Sequence, residues 1–183
     1  LKQFGPRGKE AGKSLGLRIN PQCSTQEGHA IYDPCAPGSR MGVTRDVWDK
    51  EMDEDTLALL DGLHFHTLCE QNSDDLKTTL QAVEEKFGDI LTGMKWLNMG
   101  GGHHITRPDY DLAALEDCIR HAQQAWGVTV YLEPGEAVAL NAGYFVSRVL
   151  DIVENSGTKI AILDASAACH MPDVLEMPYR PPV

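Results

Sequence analysis

No apolar run in the chain approaches the roughly 20 residues of a membrane-spanning helix, and no basic–apolar–small leader opens it. The five cysteines, Cys23, Cys35, Cys69, Cys118 and Cys169, form no C-x-x-C pair. That spacing argues against a finger-type zinc module, and free thiols in a cytoplasmic protein are the default expectation. Positive charge is also scarce. Lysine and arginine number 16 against 27 acidic residues, for a net charge of −11. The imbalance disfavours nucleic acid and anionic membranes as partners. It suits a cationic ligand, although ordinary acidic solubility reads the same way. No internal repeat or low-complexity segment stands out.

What is present is a chain of 183 residues, long enough for one globular domain and part of another. The segment 13–21, "KSLGLRINP", reads as a strand closed by Asn20-Pro21, and residues 23–40 as a long loop rich in Gly, Pro, Ser and Cys. Residues 53–62 read as a short helix ending near Gly62, and "LHFHTLCEQ" as strand and loop. In 73–91, Leu76, Leu80, Val83 and Phe87 fall at helical 3–4 spacing, with Ser73 as the expected N-cap. "MKWLNMGGG" is strand then glycine loop, 111–127 a second amphipathic helix, and "VTVYLEPGEA" another strand. Strand alternating with helix predicts parallel α/β structure. About four strand–helix units are visible, half of a (β/α)₈ barrel, whose whole needs roughly 250 residues. After Ala139 the pattern turns to β structure. The expected division is therefore 1–140 as part of a barrel and 141–183 as the beginning of a β domain, with the chain incomplete at both ends.

The chemistry-bearing residues follow strand C-termini, the active face of such barrels. Gly100-Gly101-Gly102, with Thr106 nearby, reads either as a cradle of backbone N–H groups for a phosphate or as a tight turn permitting close packing. His64 and His66 share one strand face. With His103 or His104 they could ligate a metal, or a flat imidazole could stack on a planar ring. Each is equally a hydrogen-bonded packing residue. Pro134-Gly135 turns the chain after Glu133, which reads as a ligand for a metal or a protonated ring nitrogen, or as an exposed turn. Glu136 adds a second acid. Cys169, between small residues and beside His170, reads on its own segment as a buried thiol.

In order, "GLRINP", "YDPCAPGSRMG", "LHFHTLCE", "NMGGGHHIT", "EPGEAV" and "DASAACHMPDVLEMPYRP" resemble the fold-type III pyridoxal-phosphate decarboxylases. These are built on an alanine-racemase-like barrel followed by a β domain. Within that family the resemblance is to the carboxynorspermidine (carboxyspermidine) decarboxylases. It implies pyridoxal 5'-phosphate as cofactor and a carboxy-polyamine as substrate. The reaction implied is decarboxylation to norspermidine or spermidine, in a cytoplasmic homodimer with shared active sites. It implies that His66 stacks on the pyridine ring and that Gly100, Gly101 and Gly102 hold the phosphate. Glu133 would pair with the ring nitrogen, and Cys169, donated across the dimer interface, would help protonate the carbanion. Arg18 would support the floor of the site.

Two departures from the broader family matter. Ornithine and diaminopimelate decarboxylases carry Arg after "EPG", where this chain has Glu136, and an "HVGS"-type string where this chain has His66-Thr67-Leu68-Cys69. The exchange of cation for acid makes Glu136 and Asp173 the candidates for gripping the substrate's ammonium groups. The family's Schiff-base lysine lies on the first barrel strand, and none of the eight lysines here sits in a matching context. The alternatives that remain are a metal-dependent barrel hydrolase using His64, His66 and His103 or His104, and a non-catalytic polyamine-binding relative.

Overall fold

The structure is a computed structural model that describes residues 1–26, 33–176 and 179–181. Part of the loop expected over 23–40, at 27–32, lies outside the described residues. Two compact units result, Leu1–Leu140 and Asn141–Val183.

The first unit holds a four-stranded parallel sheet in sequence order: β1 (Gly16–Arg18), β2 (Gly62–His64), β3 (Trp96–Asn98) and β4 (Thr129–Tyr131). Registers run Gly16↔Gly62↔Trp96↔Thr129 and Arg18↔His64↔Asn98↔Tyr131. Side chains alternate along a strand, so these two rows share one face and the row Leu17, Leu63, Leu97, Val130 takes the other. The second face is the apolar one: Leu63, Phe65, Leu97 and Met99 are each 0% exposed. They pack in one cluster with Leu76, Leu80, Val83 and Phe87 of α4 (Ser73–Leu91) and Leu115, Ala122 and Trp126 of α5 (Leu112–Trp126). Burying one such side chain contributes about 1.5–3 kcal/mol, so this face sets the register of every strand.

On the polar face bulk is concentrated on β3. The Trp96 indole occupies the space where a Cβ on Gly16 or Gly62 would sit, at 2.1 and 2.0 Å. Its Nε1–H donates to Ser14 Oγ at 2.8 Å. At the N-terminal edge of the sheet the carboxylate of Asp61 accepts from Lys9 Nζ (2.5 Å), Lys95 Nζ (2.8 Å) and the Leu15 N–H (2.8 Å). These cations hold its carboxyl well below the usual carboxylate range.

Local expectations are corrected at two helix ends. The N-cap of α4 is Asn72, not Ser73, because the Ser73 hydroxyl donates instead to the Asp111 carbonyl at 2.8 Å. The helix expected to run to Gly62 is α3 (Glu54–Leu57), capped by Asp53 accepting from Thr56 N; Gly62 opens β2. Two further helices, α1 (Gly5–Glu10) and α2 (Arg45–Glu51), flank β1 in the chain, and Val43 bridges to Ile19 just beyond it.

The second unit contains an antiparallel hairpin, β5 (Val149–Asn155) with β6 (Thr158–Leu163). Two short helices follow, α7 (Ala167–His170) and α8 (Asp173–Glu176). Among the described residues no helix is long and apolar enough to cross a membrane.

Candidate active site

Beyond Arg18, His64 and Asn98 the chain leaves the sheet and the candidate residues converge. The glycine loop is held from several sides. Gly100 and Gly102 have φ of +71° and +79°, a region L side chains rarely adopt. A Cβ on Gly100 would meet the Phe65 carbonyl oxygen at 2.5 Å, on Gly101 the Glu133 carbonyl oxygen at 2.7 Å, and on Gly102 the Leu68 carbonyl oxygen at 2.1 Å. Of the two readings of the triplet, close packing is therefore real, and it does not compete with an anion-binding role. The Gly100 N–H donates to Asn98 Oδ1 (2.9 Å) and the Gly101 N–H to His66 Nδ1 (3.4 Å). The amides of Gly102 and His103 have no hydrogen-bond partner among the described residues.

Glu133 sits just past β4. Its backbone N–H donates to the Gly100 carbonyl at 2.8 Å. Its Oε1 accepts from Asn98 Nδ2 at 2.8 Å, and its Oε2 lies 3.8 Å from His64 Nε2. The His64 and His66 rings meet edge to face with centroids 6.5 Å apart. Burial pushes both imidazoles below the usual histidine range, with Arg18 opposing protonation further, so both are neutral near pH 7. A neutral His66 accepting at Nδ1 carries its proton on Nε2. Arg18 donates to the His66 carbonyl at 3.0 Å, which holds β1 against the end of β2.

Of these residues Arg18, His66 and Gly102 line a cavity of about 790 Å³, together with Glu136 and residues of the 33–41 loop. Glu136, in the first turn of α6 (Gly135–Ala139), lies 3.4 Å from His104 Nε2. No lysine lines this cavity among the described residues; Lys95 precedes β3 and is committed to Asp61.

The metal set built from His64, His66 and His103 or His104 does not assemble. The third group within 4.8 Å of the His64–His66 pair is Glu133. His103 is buried beneath the loop at 2% exposure, and His104 faces Glu136. Cys169 and Asp173 belong to the second unit. Cys169 is an exposed free thiol on α7, not a buried one, and its N–H donates to Ser166 Oγ at 3.3 Å. Asp173 opens α8.

Two residues escape sequence reasoning. Asn98 bonds to both the glycine loop and Glu133; its one signal is its place in the polar row of β3. Gln71 pairs its main chain with Gly102 O (2.9 Å) and His104 N (3.2 Å). Its side chain donates to Thr25 O at 2.8 Å and contacts Gln26, linking the glycine loop to the segment after β1.

No family model matches the chain. It is 44% identical over 171 residues to a carboxynorspermidine/carboxyspermidine decarboxylase of Campylobacter jejuni, covering 93% of this chain and 43% of that protein. It is 38% identical over 176 residues to a carboxyaminopropylagmatine decarboxylase of Synechocystis, covering 96% of this chain and 44% of that protein. The crystal structure of carboxynorspermidine decarboxylase from Campylobacter jejuni, complexed with norspermidine, superposes with a TM-score of 0.81 at 43% identity, over 97% of this chain and 44% of that one. The chain thus spans less than half the length of the relatives it matches.

Proposed function

We propose that over the span it covers the chain belongs to the alanine-racemase-like decarboxylases and carries part of a pyridoxal-phosphate site for decarboxylating a carboxy-polyamine, carboxynorspermidine or carboxyspermidine. The observation that supports this most is the glycine loop held within bonding reach of both His66 and Glu133, with His66 and Gly102 lining one cavity and the Gly102 amide left without a partner among the described residues. A metal alone would have no use for the loop. A phosphorylated ring would use all three.

Bound there, pyridoxal phosphate supplies a ring that accepts the electron pair left when CO₂ departs. The chain's own residues do the rest. Of the triplet expected to hold the phosphate, Gly100 and Gly101 already donate to Asn98 and His66, so the Gly102 amide, with that of His103 beside it, would donate to the phosphate. Glu133 accepts the pyridine N–H and keeps the ring nitrogen protonated. Neutral His66 offers a flat face without adding a positive charge beside that nitrogen. Glu136, exposed where it lines the cavity, binds a substrate ammonium by opposite charge. Arg18 braces His66. From the second unit Cys169 holds the proton returned to the substrate carbon, donated by the second copy of a homodimer, and Asp173 binds a further ammonium. The barrel part is 1–140, the β-domain part 141–183, and the setting cytoplasmic.

The deciding experiment treats the intact protein with pyridoxal phosphate and then borohydride, and measures its mass. A stoichiometric reduced pyridoxyl adduct on a lysine other than the eight of these 183 residues, with CO₂ released from carboxynorspermidine before reduction, is expected. Protein that takes up zinc at His64, His66 and Glu133 but no pyridoxal phosphate would sink the reading. The substrate assignment is tested separately. Glu136→Gln should raise KM for the carboxy-polyamine about tenfold with kcat little changed, a loss of about 1.4 kcal/mol of binding. An unchanged KM removes Glu136 from that role.

A further inference from the structure

We propose that Asn98 is a positioning residue that joins the glycine loop and the Glu133 carboxylate into one rigid cofactor-holding piece. The inference rests on the site reading above. A primary amide is a planar group that presents an acceptor oxygen and two N–H donors a short distance apart. Here both ends are used. Oδ1 accepts the Gly100 N–H at 2.9 Å, and Nδ2 donates to Glu133 Oε1 at 2.8 Å. The orientation of the amide is dictated by its partners, because a backbone N–H only donates and a carboxylate only accepts.

A third bond closes the ring, since the Glu133 N–H donates to the Gly100 carbonyl at 2.8 Å. Gly100 is thus held through both of its backbone polar groups, once by Asn98 and once by Glu133. Neither holding element can shift without breaking a bond to the other. Asn98 also leaves Glu133 Oε2 outside the ring, at the 3.8 Å approach to His64. Aspartate, the same size, would keep the bond from Gly100 but would face Glu133 with a second carboxylate and no donor.

The test is a reciprocal exchange in the intact protein without cofactor. Asn98→Asp should lower the melting temperature by about 3 °C. Adding Glu133→Gln should restore most of it. The amide then stands on the far side of the pair and donates to the carboxylate that replaced the original one, so the bond re-forms with its polarity reversed. Asn98→Leu should speed hydrogen exchange at the Gly100 amide at least tenfold, whereas Asn98→Asp should leave that rate near wild type. With cofactor, Asn98→Asp should weaken pyridoxal phosphate binding about tenfold. A double variant whose loss equals the sum of the two single losses would overturn the proposal, as would unchanged Gly100 exchange in Asn98→Leu. The melting and exchange readouts need no cofactor. A wild-type protein that binds no pyridoxal phosphate therefore overturns the function and leaves this test decisive.

Discussion

His103 is the most demanding single residue of the first unit: it is 2% exposed, and its ring is left with no well-formed hydrogen bond, only the nearby Met99 and Gly100 backbone. Burial pushes its imidazole below the usual 6.5, as it does for His64 and His66, and the Met99 and Gly100 backbone offsets this only in part. The unfolded chain takes up protons as pH falls through about 6.5, while the folded chain resists. The stability from these groups is therefore fully present above that pH and is lost as pH falls toward the lowered folded values. The urea midpoint should drop from about pH 7.5 to about pH 5.5. In His103→Gln the drop should be shallower, and an identical slope would place the linkage elsewhere. At this scale sequence reading is weakest, because it reports a residue's type and not its partner. Residue type alone places the N-cap of α4 one position late, since Ser73 spends its hydroxyl on Asp111, a residue 38 positions away.

Elements are legible where periodicity and burial agree. The helices α4 and α5 follow from their 3–4 spacing, and Gly127 ends α5 in the left-handed conformation at φ +69°. The short helix α2 buries only Trp48, too little pattern to announce a helix. The strands are legible in place but not in length, since each pairs over three residues before its end turns toward the site. The two sheets also differ in kind. Leu63 and Leu97 of the parallel sheet are wholly buried, whereas every residue of β5 and β6 is exposed. An isolated two-stranded ribbon is marginal in water. Amides of Ile152 and Ile160 should therefore exchange at least a hundredfold faster than those of Leu63 and Leu97 in pulse-labelling mass spectrometry. Equal protection would show that the hairpin is covered in solution.

On the scale of the whole molecule, the polar face of one sheet carries the candidate site and its apolar face sets the geometry. His66, Gly100 and Glu133 can be picked from the sequence because each follows a strand, and strand ends on one edge of a parallel sheet converge. Asn98 cannot, because its part is a pair of bonds to backbone and carboxylate that no spacing announces. The glycine loop carries a consequence for tracing ancestry. Positive φ and collisions with the Phe65 and Leu68 carbonyls forbid a side chain at Gly100 and Gly102 whether or not a phosphate is ever bound. A relative with no use for a phosphate there would therefore still keep both glycines. Retention of Gly100 and Gly102 thus marks common descent of the scaffold and is no evidence by itself of what the loop binds.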